Sequence, residues 1–194
     1  METRKPPEFT IELSADRQNL KDVVKGIIHS ILFHRIFTPL TPSAFEVLDL
    51  TIPCVPDPEV ADLLETRSTT LLRALDTTTT TTTQSPQYNN AKNNGGPAHG
   101  SITVQFLERR RRKGWFITKP DEETIWETWV LSVSLTSARS EPEAERNRRV
   151  MEASLQEAVM KVITTANGEK EHIPPITTND STAFPYQILV NAKG

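Results

Sequence analysis

Two segments near the middle of the chain alternate apolar and polar residues, as half-buried β-strands do. In residues 101–107 the apolar positions are Ile102, Val104 and Phe106. In residues 125–135 one face carries Trp129, Leu131, Val133 and Leu135. The pattern predicts that these two segments pair as a long hairpin, with a charged segment between them at its end.

Apolar residues recur at the three- and four-residue spacing of amphipathic helices in three other segments. The strongest instance begins at Leu20 and runs to Ile36, with Pro39 beyond its end. A second helix is predicted over residues 59–75. A third begins after Ser140 and stops at Asn167-Gly168, a common helix-ending pair.

Short alternating segments predict three more strands, at residues 8–13, 45–50 and 184–190. The order of elements is then strand, helix, strand, helix, hairpin, helix, strand. Mixing of this kind is typical of the α+β class. We therefore expect a mainly antiparallel sheet with three helices packed on one face.

Low-complexity sequence interrupts this pattern between the second helix and the hairpin. Seven consecutive threonines, residues 77–83, are followed by a stretch rich in Asn, Gly and Pro. Such a segment buries too little apolar surface to offset the entropy of ordering it. Residues 76–100 are accordingly predicted to form a disordered surface loop inside a single domain that spans residues 1–194.

Composition narrows the function classes. The net charge of −3 gives no global basic field for holding nucleic acid. The single cysteine, Cys54, excludes an internal disulfide framework and a cysteine zinc cluster. The first residues have no apolar signal-peptide core, and no apolar run approaches the ~20 residues of a membrane span. An intracellular, soluble protein is the expectation.

Candidate catalytic chemistry is sparse. No glycine-rich loop follows a strand to open a helix. His29 and His34 are five residues apart on a helix, so ~140° separates them and they cannot face one metal. Cys54 has no neighbouring base, and residues 121–123 read as a solvated acidic run. We predict no enzyme, no catalytic residues, no cofactor and no metal.

The hairpin end is the most unusual feature of the sequence. A basic run leads through Gly114 to two adjacent aromatic residues, Trp115 and Phe116. The run consists of Arg109, Arg110, Arg111, Arg112 and Lys113. It fits a nuclear-localisation or nucleic-acid patch, a membrane-surface patch, or a charged end that keeps the strands soluble. The two aromatics either fold back or form a contact surface, and charge on both sides favours a contact surface.

Three groups of residues resemble the autophagy-related protein 101 family, whose members fold as a HORMA domain. The first helix ends in Ile31-Leu-Phe-His-Arg35, similar to an aliphatic-His-Arg ending in the family. The basic run, Trp115-Phe116 and Ile125-Trp-Glu-Thr-Trp129 resemble the family's finger and the strand after it. The third group is His172-Ile-Pro-Pro together with Phe184-Pro-Tyr186. The resemblance is to a fungal-type member, and animal members continue with a further segment after the last strand.

The resemblance implies a HORMA fold and a non-enzymatic adaptor in the complex that contains the autophagy-initiating kinase. Members pair as heterodimers with the HORMA domain of autophagy-related protein 13 and stabilise it. Trp115 and Phe116 would recruit downstream autophagy factors, although the family has a proline between these aromatics and this chain does not. The implied location is the phagophore assembly site in the cytoplasm.

The third helix is the candidate for pairing, because HORMA pairs commonly use the corresponding helix. Its broad apolar side consists of Val150, Met151, Leu155, Val159 and Val162. The alternative is that this side packs on the chain's own sheet. An alternative function is a membrane-surface or nucleic-acid binding module that uses the hairpin end. In the adaptor interpretation membrane contact by the finger stays open, and no nucleic-acid partner is expected.

Overall fold

The computed structural model describes residues 5–39, 41, 43–81, 98–110, 122–176 and 184–191. The elements, in chain order, are β1 (Glu8–Asp16), α1 (Leu20–Arg35), β2 (Ala44–Val47), β3 (Leu50–Pro53), α2 (Pro58–Thr81), β4 (Ala98–Arg110), β5 (Glu122–Thr136), α3 (Glu141–Gly168) and β6 (Tyr186–Asn191). The described part of the chain is therefore α+β, as the sequence predicts.

Four strands form one mixed sheet in the order β1-β5-β4-β6. The β4–β5 and β4–β6 pairs are antiparallel, whereas β1 runs parallel to β5. The long hairpin is confirmed, and its strands start earlier and end later than the alternation indicates. Whether the domain is a HORMA fold stays a prediction from the resemblance.

One face of this sheet forms the core. The side chains buried on it include Ile11, Leu13, Ile102, Val104, Trp129, Leu131 and Val133. The α3 helix packs against β1, α2 packs against β4 and β6, and α1 contacts both of the other helices. The opposite face of β1 carries exposed polar residues, namely Glu8, Thr10 and Glu12. The alternation in the sequence thus predicts the buried face correctly.

The single strand predicted over residues 45–50 is wrong. Two short strands, β2 and β3, pair there as an antiparallel hairpin. Leu48 in the turn has φ 51°, a left-handed conformation that leucine rarely adopts. The hairpin packs against α1 at Gly26, where an added Cβ would lie 3.1 Å from Ile52 Cδ1 and Val47 Cγ1. The turn, Leu48-Asp49, includes the turn-forming residue Asp49, but its positive-φ position is held by leucine, and the hairpin's packing on α1 supports that conformation.

The disordered loop predicted over residues 76–100 is too wide at both ends. Helix α2 continues to Thr81 and β4 begins at Ala98, while residues 82–97 lie outside the described chain. Thr77 donates its hydroxyl to the carbonyl of Arg73 (2.9 Å), which satisfies that polar group within the helix. Extending an existing helix costs far less than nucleating one, so packing upstream carries α2 into the threonines.

Candidate partner-binding site at the end of the long hairpin

The long hairpin extends beyond the strands beside it. Strand β1 pairs with residues 128–136 of β5, and β6 pairs with residues 101–106 of β4. Beyond these limits, residues 108–110 and 122–124 pair with each other as a two-stranded ribbon, here called the arm. Three residues of strand span ~10 Å. The tip, residues 111–121, lies outside the described chain, and Trp115, Phe116, Arg111, Arg112 and Lys113 lie there with it.

Opposite charges face each other across the arm. Arg109 is paired with Glu123, with 2.9 Å between Arg109 Nε and Glu123 Oε1. Arg110 lies opposite Glu122 in the strand register. Exposed pairs of this kind contribute at most ~1 kcal/mol to stability. A cation that is already paired is less available to bind a partner. Glu123 therefore balances the charge of Arg109 at the start of the basic run.

A β-bulge lies where the arm leaves the sheet. The register shifts between Phe106 and Leu107, so that Trp126 is an extra residue in β5. The Trp126 ring packs against Phe184 (5.0 Å between ring centroids), Phe106 (5.6 Å) and His172 (5.7 Å). We call these four side chains the root of the arm. They hold the start of the ribbon against the core.

A buried carboxylate lies next to the root. Glu127 has no exposed surface, and both of its oxygens accept from Arg35 Nε at 2.9 Å. His172 Nε2 lies 2.6 Å from Glu127 Oε2, and Trp129 Nε1 donates to Glu127 Oε1. A buried charge is tolerated only where it is paired and hydrogen-bonded, and this one meets both conditions.

The remaining Arg35 donors connect this cluster to two helix ends. Arg35 donates to the carbonyls of Ala166 and Glu169, each at 3.2 Å, and to that of His34 at 3.3 Å. The last carbonyls of a helix have no partner within the helix, so Arg35 satisfies groups at the end of α3. The Glu127 cluster, defined as Arg35, Glu127, Trp129 and His172, therefore joins α1, β5, α3 and the segment after α3.

The Glu127 cluster brings together the three groups of residues that carry the resemblance. Arg35 ends the first group, Glu127 and Trp129 belong to the second, and His172 belongs to the third. Sequence reasoning missed the cluster, although one signal was present. Glu127 lies two residues before Trp129 and so occupies the apolar face of β5, where a carboxylate requires a cationic partner.

The predicted pairing residues of α3 are divided between two faces. Met151, Leu155 and Val162 are 0–2% exposed and belong to the chain's own core, so they are not on the surface in this structure. Val159 is half-buried, whereas Val150 is 56% exposed. Met160, which the sequence analysis did not single out, is 55% exposed. For the three buried residues the structure supports packing on the sheet.

The two histidines singled out on α1 lie in separate environments. His34 Nδ1 lies 2.7 Å from the carbonyl of Ser30, and His29 is buried elsewhere on α1. Within the described ranges no three His, Cys, Asp or Glu side chains are grouped to hold a metal. None of the helices described is both long and apolar enough to cross a membrane.

Known proteins resemble this chain over most of its length. The family model described as autophagy-related protein 101 matches residues 12–180. Autophagy-related protein 101 of Schizosaccharomyces pombe is 27% identical over 93% of this chain and 84% of its own length. The Arabidopsis thaliana protein of that name is 22% identical, covering 92% and 84%. The Xenopus tropicalis protein is 23% identical, covering 87% and 75%.

Fold and site together define an α+β domain with a projecting hairpin arm, and the matches give this class a family. The chain belongs to the autophagy-related protein 101 family. Its role is therefore in autophagy.

Proposed function

We propose that this chain is a non-enzymatic adaptor subunit of the autophagy-initiation kinase complex. It pairs with the HORMA domain of autophagy-related protein 13 and stabilises that domain. Trp115 and Phe116 at the end of the arm recruit downstream autophagy factors to the phagophore assembly site in the cytoplasm. The observation that carries the proposal is the arm, which extends past both neighbouring strands from a packed root.

The arm suits recruitment because its described strands extend past both β1 and β6. Burying one large aromatic side chain in a partner contributes ~1.5–3 kcal/mol, so two give a weak and reversible contact. The root reduces the entropy lost on binding, because Trp126 and Phe184 already fix the start of the ribbon. A reversible contact at the end of a fixed arm is what recruitment requires.

Permanent pairing needs a larger surface than the arm offers. The outer side of α3 supports this part of the proposal, since Val150 and Met160 are both more than half exposed. Beside that side, Leu48 and Leu50 border a cavity of about 310 Å³ between the β2–β3 turn and α3. Leu48 and Leu50 are half-buried, and apolar groups that stay partly accessible on adjoining elements are typical of protein interfaces.

The basic run alone does not favour a nucleic-acid function. Arg109 is paired with Glu123, and the chain as a whole carries a net charge of −3. Strong, salt-dependent binding to polyanions needs unpaired cations concentrated on one surface. We therefore assign the arm to protein recruitment.

The solution mass of the chain tests the pairing. Light scattering would be measured on this chain alone and after mixing with the HORMA domain of autophagy-related protein 13 from its own species. We expect a stable one-to-one complex. A chain that is well folded by circular dichroism and keeps its own mass in the mixture would overturn the pairing, and the tip would then be tested against anionic vesicles.

A further inference from the structure

A cavity of about 530 Å³ lies between α1, the β2–β3 hairpin and the start of α2. Its walls are mainly apolar and are formed by Phe45, Cys54, Val55, Pro56, Pro58 and Ala61. Cavities of this size and character are typical of sites that enclose a side chain or a small ligand. Neither the arm nor the outer side of α3 contributes a residue to it.

His29 in the wall of this cavity is an unsatisfied polar group. It is 5% exposed, and its Nδ1 atom has no hydrogen-bond partner in the described part of the chain. Burial, and then the charge of Lys25, lowers the pKa of His29 to about 4. The ring is therefore neutral at pH 7, and a neutral imidazole offers one nitrogen lone pair to a donor. A ligand that brings an N–H group would supply the missing bond.

The rim of the cavity is negatively charged. Lys25 is the one cation among the residues that line the cavity. The Lys25 ammonium already forms ion pairs with Asp22 (2.8 Å) and Glu65 (3.0 Å). Among the described residues, Asp62 has no ion pair, and the Asp57 carboxylate accepts only the backbone N–H of Glu59 (2.8 Å). The uncompensated charge therefore comes from Asp57 and Asp62, and it favours a cationic ligand.

The pKa of Tyr186 is shifted by burial and by the same negative charges at the start of α2. The pKa of Tyr186 is raised by burial first, and then by the charges of Asp57 and Glu59. Negative charge at the start of α2 thus disfavours a further anion nearby. The same charges favour a cationic over an anionic ligand in this cavity.

We propose that this cavity binds the side chain of an arginine carried by a partner protein segment. The aliphatic stem lies along Val55 and Pro56, a guanidinium N–H donates to His29 Nδ1, and the charge is balanced by Asp57 and Asp62. Guanidinium suits the site better than ammonium, because it is planar, weakly hydrated and able to donate in several directions. The Phe45 ring already contacts His29 (5.4 Å between ring centroids) and Lys25 (5.9 Å from Nζ to the centroid), so it is part of the wall and is not assigned to the guanidinium.

The test compares two blocked tripeptides, one with arginine between two leucines and one with citrulline in its place. Citrulline has the same shape and apolar stem without the charge. Binding is followed by the NMR shifts of the Cys54 amide and the His29 ring in the full chain. We expect saturable binding of the arginine peptide and affinity about tenfold or more lower for the citrulline peptide. Equal affinity, or no saturable shift with either peptide, would overturn the proposal.

Variants locate the binding. Asp62→Asn removes a rim charge from an exposed position and should weaken the arginine peptide severalfold, with little effect on the citrulline peptide. His29→Leu removes the buried acceptor and should weaken both peptides. Glu157→Gln, on the exposed side of α3, is the matched control and should change neither. Arginine-peptide binding that Asp62→Asn and His29→Leu both leave unchanged would place the site elsewhere and end the proposal.

Discussion

Glu127 is the residue on which the geometry around the arm depends. Its carboxylate is fully buried and has three side-chain partners, of which Arg35 is itself 2% exposed. Removing one member of a buried ion pair leaves the other charge uncompensated, which costs far more than losing an exposed pair. The chain offers both kinds of pair, so the difference can be measured.

We predict that Glu127→Gln lowers the free energy of unfolding by ~3–5 kcal/mol, because the Arg35 guanidinium would stay buried without a counter-charge. The matched control is Glu123→Gln, which breaks the exposed pair with Arg109 and should cost at most ~1 kcal/mol. Urea denaturation followed by tryptophan fluorescence gives both values. Equal losses for the two variants would show that the buried cluster does not stabilise the fold as argued.

The second residue-scale prediction concerns pH. The folded-state pKa of His29, about 4, lies below its ordinary value of 6.5, so the unfolded chain binds more protons between these limits. Stability from this group is complete above pH 6.5 and is lost as the pH falls towards 4, with a slope of at most ~1.4 kcal/mol per pH unit. His29→Gln, which cannot titrate, should reduce the loss of stability across this range. Parallel profiles for the two proteins in urea titrations would contradict it.

For single residues, the sequence predicts which face of a strand is buried, but it does not predict which residues pair across long distances in the chain. The alternation of Ile102, Val104 and Phe106 specifies which side chains are buried, because a strand's geometry is local. Arg35 and Glu127 are 92 residues apart, and nothing local specifies that they pair. The tertiary fold decides that contact.

Among the elements, α3 has an inner side that belongs to the core and an outer side that we propose for pairing. Leu155 lies on its inner side with no exposure, whereas Val150 and Met160 lie on its outer side. In the sequence, the residues of both sides form one broad apolar band. Apolar periodicity alone does not distinguish residues that pack in the core from residues that form an interface. The structure separates them, and the separation can be tested.

We predict that a substitution on the inner side of α3 lowers stability, whereas substitutions on the outer side weaken pairing. Leu155→Ala should lower the free energy of unfolding by ~2–5 kcal/mol, since it leaves a cavity in the core. Changing Val150 and Met160 together to Glu should alter stability by no more than ~0.5 kcal/mol, as expected of exposed positions. The same double variant should weaken pairing with the HORMA domain of autophagy-related protein 13, measured by light scattering. Undiminished pairing would move the interface away from this side of α3.

The predicted strand at residues 45–50 fails at the element scale for an identifiable reason. Turns are usually marked by Gly, Asn, Asp or Pro in set positions, whereas this one places Leu48 at positive φ. Leu48 is half-buried and packs against the core, which offsets the strained backbone. Asp49 in the turn is a partial local signal, but leucine at the positive-φ position hides the turn from a pattern-based prediction.

At the scale of the whole molecule, the order of elements follows from the sequence but the pairing of its ends does not. Strand β1 joins β5 in parallel across more than a hundred residues, a pairing that no local signal encodes. The result places the end of α1, the end of α3 and the segment after α3 around the base of one hairpin. The Glu127 cluster thereby connects these segments to the base of the hairpin.

The proposed recruiting role of Trp115 and Phe116 gives the last prediction. Changing Trp115 and Phe116 together to Ala should leave the thermal midpoint and the pairing with autophagy-related protein 13 unchanged, because the root and the outer side of α3 are untouched. Recruitment of downstream factors to the phagophore assembly site, followed by fluorescence microscopy, should be lost. Arg109→Gln, within the arm, is the control and should retain recruitment. If the double variant instead unfolds the domain, the two aromatics belong to the core, and recruitment would have to be assigned to another surface.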